Sequence, residues 1–218
     1  MPILVIGNKN YSSWSLRPWL LMRHFDVAFD EVRVLLDTPE FKAQVAPWAP
    51  NGRVPALRDG GLAVWDSLAI CEYVNERWLD GKGWPADVDA RAHARSAVAE
   101  MHSGFGALRK QLPMNMRRTP DAYRWDADAE RDIARVQQLW RDLRGQHGAG
   151  GPFLCGAFGI VDAMFAPVVS RFLSYGVPMD DTAQAFADAI QALPAWREWR
   201  AAAEVEPEFL EDTERLRA

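Results

Sequence analysis

Three short segments carry residue types whose spacing points to chemistry on a small anionic ligand. The first is Asn10–Trp19, NYSSWSLRPW, where an apolar strand gives way to a helix. Backbone N–H groups and the positive end of a helix dipole converge at such a junction and favour an anion such as a thiolate. A hydroxyl of Ser12 or Ser13 could add one charge-assisted hydrogen bond, although serines before a helix also serve simply as caps. Tyr11 is a further candidate donor.

The second segment is Arg53-Val54-Pro55-Ala56, with a proline at the head of a strand. Proline is poorly placed in a paired strand unless its peptide bond is cis, which holds for about 5–6% of X–Pro bonds. A cis bond would leave the Val54 backbone free to pair with an extended peptide; the plain alternative is a trans proline on an edge strand. The third segment is Asp66-Ser67 at the opening of LAICEYVNERW. Asp66 could take an ammonium and Ser67, with helix N–H groups, a carboxylate, as at the zwitterionic end of an amino acid. Here too a helix cap is the competing explanation.

The elements that must position these residues follow from periodicity. Ile3–Ile6 is a continuous apolar run of the kind buried on both faces of a sheet. A helix follows over Leu16–Phe25, with Pro18 expected in its first turn, then a strand over Phe29–Leu35 and a short helix over Pro39–Val45. Val54–Leu57 and Leu62–Val64 flank Asp59-Gly60-Gly61 and form an antiparallel hairpin. A helix over Ser67–Trp78 closes an α/β unit with a right-handed crossover. Asp80–Asp87 has the glycines and proline of a linker.

Beyond it the pattern is all helical. Ala94, Val98, Met101, Phe105, Leu108 and Leu112 mark one long amphipathic helix, and Ala129, Ile133, Val136, Trp140 and Leu143 a second. A mostly apolar helix over Ile160–Tyr175 is central, two more run near Thr182–Leu193 and Pro194–Glu204, and a charged tail follows. Most tryptophans, such as Trp78, Trp140, Trp196 and Trp199, lie on helical repeats and belong to the core, whereas Trp14 and Trp48 stand nearer the thiol site.

Composition excludes several classes. The 25 basic and 30 acidic side chains give a net charge of -5, with neither half of the chain basic, so nucleic acid is not expected as a partner. Two cysteines, Cys71 and Cys155, make no disulfide framework, metal site or CxxC dithiol. A cytoplasmic, untargeted protein without a membrane span is expected.

In order and spacing the segments resemble the cytosolic glutathione transferase family over Ile3 to about Glu204. The resemblance implies a thioredoxin-like domain at 1–80, a linker at 81–87 and an all-helical domain at 88–218. It implies glutathione as cosubstrate without a metal, a homodimer, Ser12 or Ser13 as the activating hydroxyl, and Trp14, Arg53, Val54, Pro55, Asp66 and Ser67 holding glutathione. SSWSLR resembles the Ser-Ser-Cys-Ser-Trp-Arg segment of the zeta class, which selects Ser12; counting four back from Arg17, as in the theta and delta classes, selects Ser13. Trp14 replaces the zeta cysteine, which weighs against that class's isomerase chemistry. Asp162 matches the family's buried aspartate, and Gly159 stands where the family usually has Ser or Thr.

Lowering a thiol pKa by ~2 units requires ~2.7 kcal/mol, which one hydroxyl bond to a charged acceptor (about 1.5–3 kcal/mol) and a helix end (~0.3–1 kcal/mol) together supply. The expected activity is attack of the glutathione thiolate on a small hydrophobic electrophile. Two other readings stand beside it: a glutathione-dependent isomerase or dehalogenase of an acidic substrate, and a ligand-binding protein of the same fold. His102, Arg109 and Arg171 are the candidate second-substrate residues, together with Arg117 and Arg118.

Overall fold

The computed structural model describes residues 1–214, so the last four residues of the expected helical domain lie outside it. The chain runs β1 (Ile3–Ile6), α1 (Ser13–His24), β2 (Asp30–Arg33), α2 (Phe41–Val45), β3 (Ala56–Asp59), β4 (Leu62–Trp65) and α3 (Ser67–Trp78). The helical half holds α4 (Val88–Ser103), α5 (Gly106–Gln111), α6 (Ala127–His147), α7 (Ile160–Tyr175), α8 (Asp181–Ala192), α9 (Pro194–Glu204) and α10 (Glu211–Glu214).

The sheet order is β2-β1-β3-β4, with β1 and β2 parallel and β3 antiparallel to both neighbours. This is the crossover and hairpin that the apolar runs and the Asp59-Gly60-Gly61 turn predict. Helix α1 is the hinge of the architecture: it packs on α3 within the α/β half and on α7 and α9 of the helical half. Its buried residues include Leu16, Trp19 and Leu20, and one hydrophobic core runs continuously from β1 through α1 into α7. A smaller core of Val5, Val34, Val45, Ala49 and Ala56 lies under α2. Trp140, Trp196 and Trp199 are buried as expected, while Trp78 only packs against the core from its edge. No helix among the described residues is long and apolar enough to cross a membrane.

Several boundaries differ from the sequence expectation. Helix α1 begins at Ser13, not Leu16, so Pro18 falls in its second turn and has no N–H to offer the Trp14 carbonyl. The single long helix expected over Ala94–Leu112 is broken between α4 and α5. Phe105, buried and with a left-handed φ of 59°, turns the chain there. The apolar repeat continues across the break because Met101, Phe105 and Leu108 all still face the core, which is why periodicity alone reads one helix. The charged tail also has structure: the Glu206 carboxylate accepts from Lys9 N (2.8 Å) and Asn10 N (2.9 Å).

The start of α7 explains the glycine at 159. A Cβ there would meet the Gly83 carbonyl oxygen at 2.6 Å, and Ile160 N donates to that same oxygen at 2.8 Å. Close approach of the linker thus excludes the usual Ser or Thr. The buried Asp162 carboxylate accepts from Leu154 N and Gly159 N, both at 2.8 Å, tying the start of α7 to the loop before it. Burial raises its pKa to about 7 despite these two bonds.

Candidate functional site

A cleft of about 180 Å³ is lined by Trp14, Asn51, Arg53, Val54, Pro55, Asp66 and Ser67. The three sequence segments therefore meet at one place, brought there by the start of α1, the approach to β3 and the start of α3. The Val54–Pro55 peptide bond is cis. Asn51, which carried no motif, joins the lining because it sits two residues before Arg53 and holds the Arg53 N–H on its side-chain oxygen at 3.1 Å. A roomier cleft of about 520 Å³ lies elsewhere, between the 82–90 segment and the start of α7, and none of the residues singled out for glutathione line it.

The two helix starts at the site are built differently. Asp66 adopts φ 76° and caps α3, its Oδ1 accepting from Leu68 N (2.9 Å) and Ala69 N (3.3 Å). Its other oxygen lies 3.1 Å from His102 Nε2 on α4. Burial lowers the His102 pKa, so near neutral pH the imidazole is neutral and donates to Asp66. At α1 no side chain caps the helix. Ser12 donates instead to Ser15 Oγ at 2.7 Å, and Ser15 also accepts from Gly7 N at 3.1 Å. Ser13 Oγ accepts from the Arg171 guanidinium at 3.2 Å, which leaves its own proton uncommitted. Both serines are buried, and neither lines the cleft itself.

Tyr11 is withdrawn from this role by its partners. Its hydroxyl bonds Glu214 Oε1 at 2.6 Å and the Glu208 carbonyl at 3.1 Å and accepts from Arg117, and burial, then Glu214, raises its pKa. Arg117 and Arg118 belong to the same outer layer, paired with Glu214 and Asp121.

The remaining second-substrate candidates converge on Trp14 but point their hydrogen bonds elsewhere. Arg109 stacks with its guanidinium carbon 4.8 Å from the Trp14 ring centre, while its N–H groups close the end of α4 by donating to the Gly104 and Met101 carbonyls. His102 meets the same indole edge-on at 5.3 Å. Arg171 is buried on α7 and donates to the Leu112 carbonyl besides Ser13. Sequence reasoning missed Arg17, using it only as a landmark. It is fully buried, stacks 4.2 Å from the Trp14 ring centre and donates to Ser67 Oγ at 3.2 Å. The available signal was a lone cation amid Leu16, Trp19 and Leu20, on the buried length of the helix.

The sequence model of the glutathione S-transferase N-terminal domain matches residues 11–77, and that of the C-terminal domain matches residues 78–202. The chain belongs to the glutathione S-transferase family. Among curated relatives it is 31% identical over 107 residues to a probable maleylacetoacetate isomerase of Caenorhabditis elegans, covering 49% of each chain. It is 42% identical over 64 residues to a dichloromethane dehalogenase of Methylorubrum extorquens, covering 28% of this chain and 22% of that one. These matches span about half or less of each relative's length. A theta-class glutathione S-transferase from Xanthomonas axonopodis pv. citri, solved with glutathione bound, shares the fold at a TM-score of 0.66 and 23% identity, over 91% of this chain and 97% of that one. As a glutathione S-transferase family member the chain thus combines the small mixed sheet with the helical half described above.

Proposed function

We propose that this glutathione S-transferase family member binds glutathione in the 180 Å³ cleft and activates its thiol for attack on a small hydrophobic electrophile. The observation that carries this reading is the convergence of Trp14, cis Val54–Pro55, Asp66 and Ser67 on one cleft beside an uncapped helix start. Asp66 is the partner for the tripeptide's ammonium, and Ser67 with its freed hydroxyl proton the donor to its carboxylate. Val54 pairs with the peptide backbone. Ser13, rather than Ser12, donates to the sulfur, because the Ser12 proton is committed to Ser15 while the Ser13 lone pair is taken by Arg171. The thiol proton leaves to solvent and its electron pair stays on sulfur, stabilised by the hydroxyl and the dipole of α1. In this reading the hydroxyl and the helix end carry the activation without a metal.

The protein acts as a cytoplasmic homodimer. Leu62 and Trp65 support the dimer: they lie on β4, the edge of the sheet, and are 47% and 44% exposed. A second reading, glutathione-dependent isomerisation or dehalogenation of an acidic substrate, draws on the guanidiniums around Trp14 and on what the two curated relatives are named for. It requires turnover of a maleyl-type acid or halo-acid without net loss of glutathione.

Conjugation of glutathione to a halo-aromatic acceptor tests the leading reading. Ser13→Ala is expected to lose on the order of 10- to 100-fold in kcat/KM, the value of one hydrogen bond to a charged group, and Ser12→Ala only a few-fold. Retention of glutathione with no conjugation of any halo-aromatic, epoxide or enone would overturn it.

A further inference from the structure

Arg109 on α5 lies close enough to Arg17 on α1 and Arg171 on α7 to raise their charge cost, Asp132 offsets the charge of Arg109 itself, and none of the three makes an ion pair within 4 Å among the described residues. Arg17 is 0% exposed and Arg171 5%. Burial, then the neighbouring Arg109, pushes both down to about 9, opposed for Arg17 by Cys71 and Asp66 and for Arg171 by Tyr175. Arginine stays charged in proteins, so the cost is met by placing an anion nearby. Arg17 Nε and Nη2 have no partner among the described residues.

Two hydrogen bonds link this charge to the starts of α1 and α3. Arg171 donates to Ser13 Oγ and Arg17 to Ser67 Oγ, each at 3.2 Å. A hydroxyl has one proton and two lone pairs. With a charged donor fixed on a lone pair, the proton is the group left to bond outward, and it is more acidic for the cation behind it.

We propose that Arg171 and Arg17 are positioning residues: Arg171 fixes Ser13 as a donor to the glutathione sulfur, and Arg17 fixes Ser67 as a donor to a glutathione carboxylate. The inference rests on the transferase reading and deepens it. The buried charge has two outlets, one governing activation and the other affinity. The two arginines touch no ligand and act only through the serines.

The test follows steady-state conjugation kinetics, glutathione affinity by quenching of tryptophan fluorescence, and the pH titration of the bound thiol by its ultraviolet absorbance, with thermal unfolding as the control for folding. Arg171→Met is expected to lower kcat on the order of tenfold and to raise the bound-thiol pKa by about one unit, at a nearly constant KM for glutathione. Arg17→Met is expected to raise that KM and the dissociation constant on the order of tenfold, with kcat and thiol pKa nearly unchanged. The lysine variants, which keep the charge for folding but lose the planar fork, recover part of each effect. In a Ser13→Ala background Arg171→Lys adds no further loss of kcat.

A folded Arg171 variant with the wild-type thiol pKa, or an Arg17 variant that moves kcat instead of KM, overturns the proposal. So does an additive effect of Arg171→Lys on Ser13→Ala. A wild-type thiol titrating as free glutathione does overturns the transferase reading and the Arg171 half, and the affinity of Arg17→Lys still decides the other half.

Discussion

Helices α1 and α3 begin within one cleft, each with a serine backed by a buried arginine, yet they end their backbone chains in opposite ways. At α3 the Asp66 carboxylate satisfies the N–H groups of Leu68 and Ala69, so the helix start is closed and presents a negative charge. At α1 the serine that could cap turns aside to Ser15, so the helix start stays open and presents donors. The difference assigns the two starts to opposite charges of one zwitterionic ligand: α3 takes the ammonium, α1 the developing thiolate. Residue type alone does not separate them, because serine and aspartate are equally good caps.

A third helix start, α7, supplies a control for this contrast, since its Asp162 carboxylate is spent on the N–H groups of Gly159 and Leu154 deep in the core, away from the cleft. Asp162→Ala leaves two buried N–H groups without partners and is expected to cost about 3–4 kcal/mol of stability. The loss is read by chemical denaturation, and glutathione affinity of the folded fraction does not change. Its charge makes a further prediction. The folded-state pKa of about 7 lies above the ordinary aspartate value of 3.8, so the folded protein binds the proton more tightly and this contribution to stability is present at low pH. Relative to Asp162→Asn, the wild type loses stability as pH rises from about 4 to about 7 and levels off above that.

Asp66→Ala breaks the α3 side. It removes both the cap and the ammonium partner and is expected to weaken glutathione binding by about 2 kcal/mol, roughly 30-fold, with about 1 kcal/mol of stability lost besides. Calorimetric titration with glutathione reads the first, and an unchanged dissociation constant would remove Asp66 from the site. His102→Ala is the smallest of the series. The imidazole holds Asp66 Oδ2 and meets the Trp14 ring edge-on, and a few-fold loss of affinity, on the order of 0.5–1 kcal/mol, is expected.

The contrast between the helix starts also marks how much was legible in the sequence. The strand and helix order and the hairpin follow from apolar runs and Asp59-Gly60-Gly61, which are local signals; the cis state of Val54–Pro55 does not, since a proline heading a strand fits a trans edge position as well. The cleft lining was legible for the same reason: Trp14, Val54, Pro55, Asp66 and Ser67 each sit at the end of an element that the sequence defines. The choice between Ser12 and Ser13 was not, since it depends on Ser15 one turn on and on Arg171, 158 residues away. Arg17 was hidden by being charged in a buried stretch, a combination that the amphipathic pattern does not anticipate. The break at Phe105 was hidden because the apolar repeat survives it.

The central claim is that α1 governs the sulfur and α3 governs the binding. The ultraviolet titration of the thiol of bound glutathione in Ser13→Ala and Asp66→Ala, each at saturating glutathione, tests it most directly. The account predicts a bound-thiol pKa raised by about 1–2 units in Ser13→Ala and unchanged from wild type in Asp66→Ala. A Ser13→Ala thiol that titrates as the wild type does, or an Asp66→Ala thiol displaced as far as that of Ser13→Ala, would contradict it.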